Sequence, residues 1–333
     1  MYNLESIFIA LISLVTPVLM IYSFFTTHKR INPLYNIINP KDIDVIIYHN
    51  PCPDGIASAW VAHKYAKENK LNYVFHGICT NSSQEFTPML TEIIKNKNIL
   101  FIDYAPTEGQ YKIASKLASS IFILDHHVTN KERYQKNRNA LFDMNLSGVG
   151  LAWEYFYYGE KMPVYLEMIQ ERDLWKWKTE YAQEFTNGLH YCGGDKLIPY
   201  CKLMYEIEQK PSKMTNIIAM GTTIEKNKQN KINNIVQNLT KVNIYNTFKV
   251  CIINCTDIEL ISDLGNAIMK MCICDFVAMW KYNHENETYS ISFRSCDTSP
   301  ADVSKIAKEL GGGGHPNASG CTIRANPVTF FNN

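Results

Sequence analysis

Short apolar runs alternate with longer segments of helical spacing along the first half of this chain. Residues 44–49, DVIIYH, are β-branched or aromatic nearly throughout, the pattern of a parallel strand buried on both faces. Further strand-like runs fall at 73–75, 98–103 and 120–125, and helical patterns begin at Ile56 and cover 86–95 and 110–117. This βαβ rhythm predicts a mostly parallel sheet with helices on both faces. Residues 211–247 are polar and rich in Lys and Asn with spaced Ile, Val and Leu, which predicts a long exposed helix joining two domains, with Lys226, Lys228 and Lys231 on its solvated face. Beyond it, strand patterns at 250–254, 276–282 and 288–294 and helical patterns at 261–271 and 301–310 predict a smaller, mixed α/β domain.

One apolar run fits neither domain. Residues 7–25, IFIALISLVTPVLMIYSFF, carry no charge, and at about 1.5 Å of rise per residue a helix of that length nearly spans a bilayer's hydrocarbon core. Pro17 is tolerated in such a helix because neighbouring groups satisfy the freed carbonyl. A cleaved signal peptide or a buried core helix would also be this apolar, but no Lys or Arg precedes Ile7, unlike the basic start of a signal peptide. The expectation is a single transmembrane anchor. His28, Lys29, Arg30 and Lys41 follow it and place the remaining chain in the cytoplasm by the positive-inside tendency. The expected organisation is an anchor at 1–30, a Pro/Asn-rich linker at 31–43, a first domain at 44–210, a helical linker at 211–247 and a second domain at 248–333.

Composition narrows the partners. The 333 residues carry a formal charge of +1, so there is no global field to attract a long nucleic acid, and a short or small phosphorylated substrate fits better. The 10 cysteines show neither a disulfide framework nor paired CxxC spacing, which favours a reducing compartment. The oligomeric state is not written in these patterns.

Polar residues close several of the apolar runs: His49, Asp103, and Asp125-His126-His127. In open α/β sheets the ligand crevice lies beyond the carboxyl ends of the strands, so these side chains converge there. Together with Asp54 and Asp173 they offer histidine and carboxylate ligands suited to Mn²⁺, Mg²⁺ or a related divalent ion. Taken singly each has a structural alternative: a core histidine for His49, a helix cap for Asp103, a surface partner of Arg172 for Asp173. The glycine run at 311–314 before His315 lets backbone amides approach an anion, and Arg294 can pair with phosphate in bidentate fashion. Trp153, Trp175 and Trp177 either pack helices or stack a base at the cleft edge.

The order of these segments resembles a known family. VIIYHNPCPDGIASA at 45–59, FIDYAP at 101–106, ILDHH at 123–127 and RDLW at 172–175 are similar to the four N-terminal motifs of the DHH superfamily of phosphoesterases. SFRS at 292–295 and GGGGHPNASG at 311–320 resemble its DHH-associated C-terminal domain. The resemblance implies a metal-binding catalytic domain, a substrate-binding domain and one or two divalent ions, Mn²⁺ above all. It implies that Asp103 bridges two ions, that His49 and a motif-one carboxylate hold one, and that His126 and Asp173 hold the other. Asp125 would support its neighbouring histidine, and His127 would lie close to the transferred phosphoryl group. Family members often carry two aspartates as DxD in the first motif, whereas only Asp54 is present here. If Asp54 is the second of the pair, as Gly55 suggests, Cys52 takes the first position, as a soft ligand or a packed residue; if Asp54 is the first, Ile56 replaces the second.

The implied reaction is attack of a metal-bound water on a phosphodiester or phosphomonoester, with Arg294, Gly312, Gly313, Gly314 and His315 holding the substrate. The family includes RecJ-type exonucleases, nanoRNases, cyclic-dinucleotide phosphodiesterases, exopolyphosphatases and inorganic pyrophosphatases. The two-domain size and the GGGGH loop look most like the nanoRNase and small-nucleotide branch. A nucleotide-binding protein that has lost turnover is the contrasting expectation.

Overall fold

A computed structural model describes residues 38–79, 86–239 and 241–332. The predicted anchor at 7–25 lies outside them, and among the described residues no helix is long and apolar enough to cross a membrane. The first sheet is wholly parallel, with strands β1 (Val45–His49), β2 (Val74–Ile78), β3 (Asn98–Ile102), β4 (Ser120–Asp125) and β5 (Ala140–Phe142) in the order β2-β1-β3-β4-β5.

Strand alternation divides this sheet's side chains between two cores. Ile46, Tyr48, Leu100, Ile102, Phe122 and Leu124 face one, covered by α1 (Pro53–Asn69), α5 (Gly148–Phe156) and α6 (Val164–Asp173). Val45, Ile47, Ile99, Phe101, Ile121 and Ile123 face the other, covered by α2 (Pro88–Ile93), α3 (Glu108–Leu117) and the Tyr134 end of α4 (Val128–Tyr134). Burial on both faces is why these strands lack a polar side. In strand order the chain reverses direction between β1 and β3, and such a switch point opens a crevice at the strands' carboxyl ends.

Helices α7 (Ala182–Gly193) and α8 (Leu197–Gln209) complete the first lobe, and α9 (Pro211–Gln237) leads to the second. The expected long helix is present and most of its residues are exposed, but one stripe of it packs closely on the first lobe. A Cβ at Gly221 of α9 would lie 1.7 Å from the Glu184 carbonyl oxygen, and one at Gly188 of α7 would lie 2.1 Å from that of Ile217, so the two helices touch backbone to backbone. Lys228 is buried rather than solvated: its ammonium pairs with Asp263 and Glu225 and donates to Asn187 Oδ1 at 3.3 Å. Residues 243–245, read as linker in the sequence, form β6 (Asn243–Tyr245) of the second sheet.

That sheet is mixed. β6, β7 (Phe248–Asn254), β8 (Phe276–Asn283), β9 (Thr288–Arg294), β10 (Gly313–His315) and β11 (Ala318–Ile323) stand in the order β10-β11-β9-β8-β7-β6, with β7 and β8 parallel and the other pairs antiparallel. One face packs on α10 (Ile261–Lys270) and the C-terminal part of α9, the other on α11 (Val303–Glu309) and Phe331, which follows α12 (Pro327–Phe330).

Candidate metal and phosphate site

The ends of β1, β3 and β4 meet the start of α1 and the end of α6 at the switch point. His49 closes β1, and its Nδ1 lies 3.3 Å from Asp103 Oδ2. Asp103 follows β3 at φ 56°, a left-handed backbone uncommon for a non-glycine residue, which turns the carboxylate into the crevice. Its Oδ1 is 3.1 Å from His126 Nε2, which also lies 3.4 Å from Asp173 Oδ2 and 3.8 Å from Asp54 Oδ2. His49 Nδ1 and Asp103 Oδ2 are buried yet form no hydrogen bond.

Asp54 sits in the first turn of α1 and has a second task. Its carboxylate accepts from Ser147 Oγ at 2.7 Å, Gly148 N at 2.5 Å and Val149 N at 3.0 Å, satisfying amides at the N-terminus of α5 that no helical carbonyl reaches. Gly148 is also required by Asp103, since a Cβ there would lie 2.4 Å from the Asp103 Cβ. Neither Ser147 nor Gly148 stood out in the sequence, although Ser-Gly ahead of an apolar helix is a capping signature.

Four groups of potential ligands result among the described residues, each with its donor atoms within 4.8 Å of one another: His49-Cys52-Asp103, Asp54-His126-Asp173, Asp103-Asp125-His126-His127 and His126-His127-His315. The resemblance paired His49 with the motif-one carboxylate. Here Asp54 stands with His126 and Asp173, and Cys52 stands beside His49.

Asp125 is fully buried and serves its neighbours: Oδ1 accepts from the His126 amide at 2.8 Å and contacts His127 Nδ1 at 2.6 Å, while Oδ2 accepts from Asn130 Nδ2 at 2.8 Å. The electrostatics reflect crowding of acids. Burial, reinforced by Asp103 and Asp173, pushes the Asp54 carboxyl well above its usual range. For Asp103 burial also pushes upward, but contacts with His126 and His49 prevail and hold it below the carboxylate range. Burial opposes charge on His126, and Asp173, Asp103 and Asp54 outweigh it, raising its pKa well above the ordinary value.

Across the crevice, the second lobe presents Arg294 and His315, and with Cys52, Asp103, His127 and Trp175 they line one cavity of about 750 Å³. The His315 ring stacks 5.0 Å from that of His127 and lies 5.1 Å from that of His126. Burial, then the neighbouring His127 and His126, lower the His315 pKa to about 3. Arg294 donates from Nη1 to the Phe293 carbonyl at 2.8 Å and from Nη2 to Ser262 Oγ at 2.9 Å, and burial lowers its pKa to about 10. Space for its stem depends on Gly265 of α10, where a Cβ would lie 2.5 Å from the Arg294 Cγ.

Gly312, Gly313 and Gly314, expected to hold the substrate, have backbone roles of their own in this geometry. None of them lines the cavity. The amides of Gly311 and Gly312 donate to the Lys308 and Ala307 carbonyls at 3.1 and 2.7 Å, closing α11, and Gly313 and Gly314 pair with β11. Their missing side chains permit the tight hairpin: a Cβ at Gly312 would lie 2.0 Å from the Gly320 carbonyl oxygen, and Gly314 has φ 140°. The hairpin's contribution is to aim His315. Of the tryptophans, Trp153 is buried and stacks on Tyr157, Trp177 packs against the first core, and Trp175, at φ 56°, reaches the cavity.

Comparison with known proteins gives this arrangement a family. A model described as the DHHA1 domain matches residues 260–332. Over 303 residues the chain is 30% identical to the uncharacterized protein R106 of Acanthamoeba polyphaga mimivirus, covering 86% of this chain and 69% of that one. The chain belongs to the DHH superfamily of phosphoesterases. Solved structures similar to this DHH chain include an exopolyphosphatase-related protein from Bacteroides fragilis, with 14% identity, TM-score 0.47 and coverage of 87% of this chain and 89% of that one. RecJ from Thermus thermophilus, in complex with Mg²⁺, has 10% identity, TM-score 0.42 and coverage of 89% and 49%. In this DHH protein the DHHA1 match holds Arg294, His315 and the glycine hairpin, while the acid–histidine cluster belongs to the parallel-sheet lobe.

Proposed function

We propose that this DHH protein is a metal-dependent phosphohydrolase that cleaves a phosphodiester or phosphomonoester bond in a short oligonucleotide or small nucleotide. The observation that carries this reading is the shared cavity, in which the acid–histidine cluster of one lobe faces Arg294 and His315 of the other. The cluster fits divalent cations: buried His49 Nδ1 and Asp103 Oδ2 form no hydrogen bond, and three carboxylates surround the single imidazole of His126. His49 and Asp103 would hold one ion, and Asp54, His126 and Asp173 another, with Mn²⁺ suited to the oxygen-rich second group. Ions bound there supply charge stabilisation at phosphoryl oxygens and lower the pKa of water.

The chain's own groups do the rest. Asp125 fixes the His127 ring through Nδ1, leaving Nε2 for the reacting phosphoryl group or its leaving oxygen. His315 stays neutral and offers a hydrogen bond without adding charge, whereas Arg294 brings a permanent cation for a phosphate oxygen. Trp175 offers a flat face for a base. A cavity of about 750 Å³ is of small-molecule size, which favours a short substrate over a long strand.

A nucleotide-binding protein without turnover is the second reading, favoured by the commitment of both Asp54 oxygens to the α5 amides. Incubating the purified chain with Mn²⁺ and a dinucleotide, a short oligonucleotide, a cyclic dinucleotide or pyrophosphate separates the two. Metal-dependent hydrolysis of a nucleotide substrate is expected, reduced at least about a hundredfold in His126→Ala. Nucleotide binding with no metal-dependent hydrolysis of any of the four sinks the enzyme reading.

A further inference from the structure

We infer that Cys52 is a metal ligand, and that with His49 and Asp103 it makes a thiolate–imidazole–carboxylate site that prefers a thiophilic first-row cation such as Zn²⁺ or Co²⁺ over Mg²⁺ and Mn²⁺. The inference rests on the metal-dependent reading above and assigns one of its two ion positions. Three observations support it. Cys52, at the N-cap of α1, makes no side-chain cap hydrogen bond. It lines the cavity and stands outside the hydrophobic clusters that hold buried cysteines such as Cys201, Cys251 and Cys274. Its sulfur falls within 4.8 Å of ligand atoms of His49 and Asp103.

The second, independent sign lies in Asp103 itself. This carboxylate is 1% exposed, and its Oδ2 points at His49 Nδ1 across 3.3 Å without forming a hydrogen bond. The two buried atoms form a close contact without hydrogen-bond geometry, a spacing that suits two ligands of one cation. A buried carboxylate oxygen without a hydrogen bond is otherwise costly. Thiolate ligands favour Zn²⁺ and related ions, whereas Mg²⁺ takes oxygen donors, so exchanging one oxygen ligand for sulfur shifts selectivity along the first row. The two positions then differ in kind: sulfur, nitrogen and oxygen at His49-Cys52-Asp103, against carboxylates and one imidazole at Asp54-His126-Asp173.

Titrating the metal-free full chain with Co²⁺ and recording its near-ultraviolet spectrum tests this without any assay of turnover. A thiolate-to-cobalt charge-transfer band is expected in the wild type and absent in Cys52→Ser, which controls for the other cysteines. Cys52→Asp is expected to lack the band and to shift the ratio of Mn²⁺ to Zn²⁺ affinity toward Mn²⁺ by about tenfold or more. Stoichiometric Co²⁺ binding without the band, a band of equal strength in Cys52→Ser, or an unchanged affinity ratio in Cys52→Asp overturns the assignment. Absence of the band alongside Mn²⁺-dependent hydrolysis removes the Cys52 ligand and leaves the phosphohydrolase. A Cys52-dependent band in a chain that hydrolyses nothing supports the ligand and removes the enzyme.

Discussion

Asp54 serves two elements at once: it faces His126 and it terminates the free amides of α5. Removing it therefore strips three buried donors as well as a ligand. Asp54→Ala is expected to lower unfolding stability by roughly 3 kcal/mol even without metal, at about 1–3 kcal/mol per unsatisfied buried group and with partial relaxation. Urea denaturation with chelator present reads this as a lower midpoint at constant slope, and an unchanged midpoint would contradict the capping role. The ligand residues themselves were legible in the sequence, because a polar residue ending an apolar strand has few places to go but the crevice. The grouping of Asp54 was not. Cys52 is the extended N-cap of α1 and Asp54 lies in its first turn, and the rotation between them turns one toward His49 and the other toward His126. That rotation depends on where α1 begins, and helix starts are uncertain by a residue or two in any sequence.

At the scale of elements, α10 fixes the substrate side from behind. Ser262 holds the Arg294 guanidinium, Gly265 yields room for its stem, and Asp263 between them pairs with buried Lys228 of α9. Gly265→Ala is expected to push Arg294 out of place and raise KM about tenfold, roughly 1.4 kcal/mol, while metal affinity measured by calorimetry stays unchanged. Loss of metal binding in that variant would show that α10 supports the wrong half of the site. Lys228→Ala leaves Asp263 buried without its cation and is expected to cost about 3–5 kcal/mol of stability, whereas the double change Lys228→Met, Asp263→Leu is expected to recover most of it. Thermal unfolding of both variants tests the pair. Lys228 was misread as solvated because its partners Asn187 and Asp263 lie on other helices, and local polarity does not reveal a helix packed on two sides. The hairpin role of the glycine run was hidden for a different reason: four glycines announce close backbone approach, but a neighbouring strand satisfies that demand as well as an anion does.

At the scale of the molecule, the two lobes meet directly at the site. His127 stacks on His315, Glu132 pairs with Lys308, and a Cβ at Gly313 would lie 3.1 Å from Thr129 Oγ1. A bulky side chain at Gly313, as in Gly313→Leu, is expected to wedge this contact and lower kcat/KM at least about tenfold with metal affinity retained. Equal activity in that variant would mean that the lobes need not touch for turnover. The cavity's two walls belong to separately packed lobes, one with its cores on the parallel sheet and the other with its cores on the mixed sheet. A molecule bound between them is thus a reversible cross-link whose strength is set by its own concentration. At a hundred times its Kd such a ligand adds about 2.7 kcal/mol to the folded state, shared across both halves. A ligand bound across both walls is then expected to slow proteolysis of the folded chain in proportion to its occupancy.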